Sequence, residues 1–307
     1  MEAWRRVSKL AALSFPTTPV KGRGSVLEAL LQLKCRLIIG GEDGVVNVYE
    51  LPSATSGETF DLKILCRKAV SKSSIECLQI LQDSFGSAAV VTGDTMGHLW
   101  AFSPYSDLWR LRLTDSKQPK SQNSTQVQCL LTANLQSKHG QTCGYLLATD
   151  HSQHLHFIHQ GTVVLTLKTP STITAMCEGK FICPTEIETK DPSGTSNPAC
   201  ETQVALGSST GAIYIMTNFE IYTEEFAHVQ LPITSLETLP PVDGKNGLLC
   251  AGHFNALCVF REGKELSRFP TSSWVTSLCL EEEEDGKCRV VIGCDDRTVY
   301  AVQIGIS

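Results

Sequence analysis

The 307-residue chain has no apolar run approaching the ~20 residues of a membrane-spanning helix, so no helical span and no membrane insertion are expected. It has no surplus of basic residues. Its formal charge of −6 offers no electrostatic footprint for nucleic acid or an anionic membrane, and neither is expected as a partner. It lacks the polar composition of a disordered chain, with 42% hydrophobic and 19% charged residues. Met1 to Phe15 contains Trp4, Arg5, Arg6 and Lys9 but no apolar stretch of signal-peptide type. With a single acid, Glu2, this segment reads either as a transit peptide or, for reasons given below, as a strand.

Signatures of catalysis are also missing. No P-loop, nucleophile elbow or dinucleotide fingerprint occurs, so no enzyme and no cofactor are expected. Cysteine, by contrast, is plentiful and odd in number, at 13. Cys77, Cys129, Cys250, Cys258 and Cys279 sit in apolar strand-like runs, where a thiol packs as a small hydrophobe. The pairs Cys177/Cys183 and Cys250/Cys258 lack the C-x-x-C spacing of zinc or redox sites. These features predict a reduced cytosolic or nuclear protein. The sequon at Asn123 has no secretory context and reads as chance.

What the chain does have is repetition. A pattern of apolar, polar, small and then Leu or Met occurs six times. Its copies begin at Leu27, Ile75, Val127, Ile173, Ile233 and Val275. Each is followed by an apolar run into a Gly-rich turn. Gly40 and Gly44, Gly93 and Gly97, and Gly207 and Gly211 are the clearest, with Gly252 and Gly293 completing the set and Thr149 replacing glycine in the third. A further apolar run follows, ending at Tyr49, Phe102, Ile158, Met216, Phe260 and Val302. Short β-type runs at this spacing predict propeller blades, whereas helical repeats would show longer segments of 3.6 periodicity.

Each blade then reads as a short inner strand, a hairpin whose glycines supply positive φ, and a looser outer strand. In the segment 107–113, Trp109, Leu111 and Leu113 alternate with Arg110 and Arg112, which predicts apolar side chains inward and arginines guarding an open edge. Comparable edges run over 163–167, 221–226 and 266–269. The last repeat stops at Ser307 without an outer strand, and residues 5–15 have no blade of their own. The amino-terminal strand is therefore expected to complete the sixth blade and close a ring. The predicted fold is an all-β, six-bladed β-propeller in one domain over 1–307, with blades at 25–68, 73–113, 125–168, 171–226, 231–269 and 273–307 plus 5–15.

This arrangement resembles the WD40-like and integrin FG-GAP-like propellers across nearly the whole chain. It departs from them in having no Trp-Asp ending, no Gly-His opening and no Asp-x-Asp-x-Asp-Gly calcium loop. The nearest segment, Asp243 to Gly247, lacks the carboxylates. The resemblance implies a scaffold that binds other proteins.

Candidate chemistry is sparse. His151, His154, His156 and His159 cluster beside Asp150, and His154 and His156 share one strand face, which is a thinkable metal site. A solvated hairpin is the favoured account, because the motif has low specificity and no Cys or Asp pattern converges elsewhere in the sequence, and no metal is expected. The acidic run Glu281 to Asp285 reads as a hairpin tip rather than a docking spot. The stretches 114–126 and 178–201 read as polar insertions, with a partner-binding or phosphorylated arm as the alternative. The residues just before the inner strands, Ser74, Gln126, Thr172, Pro232 and Trp274, should line one face of a propeller. Trp274 is the candidate partner-binding residue, as an exposed anchor or else folded between blades. Together these features predict a non-catalytic scaffold, a subunit of a cytosolic or nuclear hetero-complex of signalling or trafficking type. An enzyme or ligand sensor using a central channel is the alternative, and it would need convergent acids, histidines or a metal.

Overall fold

The computed structural model describes residues 7–13, 36–50, 63–82, 88–103, 106–113, 126–136, 142–182, 202–282 and 287–305. Among these residues every regular element is a strand, and the strands form six antiparallel sheets in chain order. The first holds β1 (Val7–Leu13), β2 (Arg36–Gly41), β3 (Val45–Glu50) and β4 (Lys63–Ala69). The second holds β5 (Ile75–Gln82), β6 (Ala88–Asp94), β7 (His98–Phe102) and β8 (Asp107–Arg112). The third holds β9 (Val127–Gln136), β10 (Thr142–Asp150), β11 (His154–His159) and β12 (Thr162–Lys168). The fourth holds β13 (Ile173–Gly179), β14 (Gln203–Ser208), β15 (Ala212–Thr217), β16 (Glu220–Ile221) and β17 (Ala227–His228). The fifth holds β18 (Ile233–Val242), β19 (Lys245–Gly252), β20 (Phe254–Arg261) and β21 (Lys264–Pro270), and the sixth β22 (Val275–Glu282), β23 (Lys287–Cys294) and β24 (Val299–Gly305). Contacts group the chain into two compact units, 1–130 with 160–162 and 131–159 with 163–307.

The recurring four-residue pattern has a physical reading position by position. Its first residue is core: Ile75, Val127, Ile173, Ile233 and Val275 are all fully buried. Its second residue is a β-bulge, since the pairing register slips between Ile75 and Cys77, Ile173 and Ala175, Ile233 and Ser235, and Val275 and Ser277. In two sheets the polar side chain at that position reaches the start of the next sheet. The Thr174 hydroxyl donates to the Ile233 carbonyl, and that of Thr234 to the Val275 carbonyl. The small third residue pairs with a glycine in three sheets, Cys77 with Gly93, Ala175 with Gly207 and Ser277 with Gly293.

These glycines do not have the role expected for them. Gly40, Gly93, Gly207, Gly252 and Gly293 lie in extended strands, without positive φ. They are small so that the following inner strand can approach. A Cβ on Gly40 would stand 2.9 Å from Ile75 Cγ2, and one on Gly207 2.8 Å from Ile233 Cγ2. Positive φ belongs instead to one fixed place in the hairpins of five sheets: Gly44 (71°), Gly97 (78°), Gln153 (64°), Gly211 (92°) and Arg297 (68°). The loss of glycine in the third and sixth repeats is thus tolerated by Gln153 and Arg297, at some cost in backbone strain. The Asp243–Gly244 turn has φ of 52° and 80° and joins the paired Val242 and Lys245, so the segment nearest to a calcium loop is a two-residue primed hairpin turn.

The amino-terminal strand is not where it was expected. β1 pairs with β2 in the first sheet, Leu10 opposite Ile39 and Ala11 opposite Ile38, while the sixth sheet contains three strands among the described residues. Closure of the sixth blade by 5–15 is therefore corrected. The reason is in the register. β1 slips between Val7 and Lys9, and Lys9 pairs with Gly40, which is the same bulge and the same partner glycine as in the inner strands of the other sheets. Val7-Ser8-Lys9-Leu10 is itself a copy of the repeat, hidden by lysine in the small place. The copy assigned to Leu27 lies outside the described residues, as do most of the two insertions and Glu283 to Asp285.

It follows that deleting residues 1–16 should uncover the edge of β2 and not that of the sixth sheet. Amide hydrogen exchange should show protection lost over 36–41 and retained over 287–294. Equal loss in both segments would contradict this placement.

Outer edges follow the predicted alternation in β8, where Arg110 and Arg112 are exposed and Leu113 is buried. Arg110 has a further contact, its guanidinium lying 3.4 Å from the Trp100 ring centroid. The edge expected over 221–226 is broken. β16 and β17 each pair with β15, and the chain between them bows out to line a cleft of about 420 Å³ with Ile182, Ile215, Tyr222 and Phe226.

Candidate functional site

The backbone of the residues preceding the inner strands is committed to structure. The N–H groups of Thr95, Ser209, His253 and Asp295 donate to the carbonyls of Ser74, Thr172, Pro232 and Trp274 at 3.2, 2.9, 2.9 and 2.9 Å. These four sheet starts are thereby tied to their own hairpin turns. Ser74, Gln126, Thr172 and Pro232 are half-buried, and Trp274 alone of the five is exposed, at 49%.

Trp274 therefore does not fold into the core. Its ring stacks on His253 with centroids 4.8 Å apart and planes 25° from parallel. His253 is the turn residue between β19 and β20 and is also exposed. Leu231, 46% exposed, precedes the Pro232 that receives the His253 N–H. On the other side, the turn after β23 carries Asp295 and Asp296. Hydrogen bonds from Ser272 and from the Thr298 N–H hold the Asp296 carboxyl below its ordinary value. Within the second unit, His253 and Trp274 thus form an exposed aromatic pair, tied through the backbone to the Leu231–Pro232 segment and to the turn carrying Asp295 and Asp296. Sequence reasoning singled out Trp274 as a candidate and passed over its stacking partner His253, since a histidine in a turn gives no signal of what it will stack against.

Two turns contain buried carboxylates. Asp94 ends β6 and is 1% exposed. One oxygen accepts the Met96 and His98 N–H groups at 2.9 and 2.8 Å, and the other accepts the Ser71 and Ser73 hydroxyls at 2.5 and 2.9 Å and faces His98 Nδ1 at 3.1 Å. Burial disfavours its charge, but the Ser71, His98 and Ser73 hydrogen bonds outweigh burial and hold the carboxyl below its ordinary range. Asp150 ends β10 in the same way, and its Oδ1 accepts the His154 N–H at 2.9 Å. Its Oδ2 lies 3.1 Å from His156 Nε2 and 3.5 Å from His154 Nδ1. Here too burial opposes the charge, and the His156 and His154 interactions outweigh it and lower the pKa.

His156 is 5% exposed, so this is not the solvated hairpin expected from sequence. His151 is exposed in the turn, and His159 lies apart, its Nδ1 3.1 Å from the Gly144 carbonyl oxygen. Of the cysteines read as core, Cys77, Cys250 and Cys258 are buried, whereas Cys279 is exposed. Cys250 and Cys258 pair across β19 and β20, and burial pushes the Cys258 thiol up to about 11 and that of Cys250 also well up, which keeps both protonated and unreactive at neutral pH.

An all-β chain of repeated four-stranded antiparallel units with this hairpin and bulge has the fold of the WD40 propellers, and solved structures bear this out. The Saccharomyces cerevisiae protein Sqt1 superposes with a TM-score of 0.63 at 13% identity, over 88% of this chain and 69% of that one. The WD40 β-propeller domain of Doa1 gives 0.56 at 14% identity, over 89% and 75%. A chain of the mitotic checkpoint complex gives 0.58 at 15% identity, over 88% and 74%. At these identities the likeness concerns the fold alone. No protein-family model and no functionally curated protein matches the sequence.

Proposed function

We propose that this chain is a single six-bladed propeller acting as a non-catalytic scaffold, a subunit of a cytosolic or nuclear hetero-complex, and that it engages a protein partner through Trp274. The observation carrying this reading is the ring stack itself. A tryptophan held half exposed by stacking on His253 is a rigid apolar surface with little side-chain entropy left to lose on binding. The Asp295 N–H donates to the Trp274 carbonyl, so the adjoining turn carries two acidic residues, which suits a partner that brings an arginine or lysine to the tryptophan face. Occurrence of a similar propeller chain in the mitotic checkpoint complex supports an assembly role.

Trp274→Ala is expected to weaken partner capture by ~2 kcal/mol or more, roughly 30-fold in Kd, with the melting temperature nearly unchanged. Quantitative co-purification of stoichiometric proteins with wild-type and variant chains from cells, beside thermal melts of both, tests this. Undiminished capture, or a large drop in melting temperature, would remove Trp274 as the contact.

A further inference from the structure

The hairpin turn described above recurs in five sheets, which allows its positions to be compared. The last residue of the second strand, the residue four later and the residue six later are Gly41, Val45 and Asn47 in the first sheet. They are Asp94, His98 and Trp100 in the second, Ser208, Ala212 and Tyr214 in the fourth, and Cys294, Thr298 and Tyr300 in the sixth. The third sheet alone among these has a metal-ligating side chain at all three places: Asp150, His154 and His156.

From this geometry we infer that Asp150 Oδ2, His154 Nδ1 and His156 Nε2 form a binding site for a divalent transition ion of the zinc type. The three ligand atoms lie within 4.8 Å of one another, with two of the separations at 3.1 and 3.5 Å. Bonds of ~2.0–2.1 Å to a tetrahedral ion place ligand atoms ~3.3 Å apart, so the carboxylate already stands at coordination distance from both rings. The imidazoles close the remaining gap by small ring rotations.

The outer contacts are those such a site requires. Asp150 Oδ1 is pinned by the His154 N–H, which aims Oδ2 at the rings. His156 Nδ1 lies 3.1 Å from Thr166 Oγ1, so that Nδ1–H donates to the hydroxyl while Nε2 is free of its proton for the ion. A ring with its proton on Nε2 would donate to Asp150 and accept from Thr166, so loading the ion would exchange one tautomer for the other. One carboxylate and two imidazoles suit zinc, cobalt or nickel rather than calcium or magnesium. Asp150 and His156 are buried while the His154 side chain keeps 27% exposure, so an ion would enter from the His154 side.

The test is cobalt titration of the full chain after dialysis against a chelator. One equivalent of Co²⁺ should give the ligand-field spectrum of a four-coordinate nitrogen–oxygen site without thiolate charge transfer, and Zn²⁺ should abolish it. His154→Ala should remove the spectrum with little change in melting temperature, since that ring is partly exposed. Thr166→Val should weaken binding ~10–100-fold. His98→Ala, at the equivalent place in the second sheet, should leave binding unchanged. A spectrum that persists in His154→Ala, that carries thiolate charge transfer, or that never reaches one equivalent would overturn the assignment.

Discussion

Asp94→Ala is expected to lower the unfolding free energy by about 3 kcal/mol, because it removes one buried carboxylate that serves four donors and faces the His98 ring. The Met96 and His98 N–H groups would lose their acceptor, and the Ser71 and Ser73 hydroxyls would keep only each other. Asp94→Asn keeps an oxygen for the two N–H groups and should cost about half as much. The pH dependence separates charge from shape. The folded-state pKa of Asp94 is depressed below 3.8, so its contribution is fully present above the unfolded value and is lost as pH falls through the lower, folded value. Urea denaturation of wild type and Asp94→Asn should therefore show a gap that is constant at neutral pH and closes only below about pH 4. A gap that stays open in acid would mean that the carboxylate acts through shape alone.

Much of the fold was legible because its rule is local. A buried β-branched residue, a bulge, a small residue and a partner glycine must recur wherever one sheet start packs on the sheet before it. Five inner strands and the positive-φ turns could be read from these constraints. What escaped was set by partners distant in sequence. Lys9 occupies the small position of β1, so its copy of the pattern was passed over and the strand was assigned to the wrong sheet. Equally, β10 and β11 place His156 over the Asp150 carboxylate, but burial of that pair depends on packing that no spacing rule encodes. The exposure of Trp274 was open for the same reason. A tryptophan before a strand can pack either way, and stacking on His253 decided it.

The glycine between successive inner strands makes the most direct test of why the repeat exists. A Cβ on Gly93 would stand 2.6 Å from Cys77 Sγ in its own sheet and 2.7 Å from Val127 Cγ1 at the start of the next, with Val127 Cβ at 2.9 Å. Both neighbours are buried, Val127 fully, so neither can yield without moving its strand. Gly93→Ala is accordingly expected to cost ~2 kcal/mol and Gly93→Val ~3 kcal/mol or more, through overpacking rather than backbone strain, since Gly93 is extended. Gly305→Ala is the control. It adds the same methyl at the end of β24 with nothing within 4 Å, and should stay within about 0.5 kcal/mol of wild type. Val127→Ala, destabilising alone, should recover part of the loss when combined with Gly93→Ala, with a coupling of about 1 kcal/mol or more. Chemical denaturation of the four proteins in that cycle measures the coupling. If the two changes simply add, Gly93 is small for some reason other than the approach of the next inner strand.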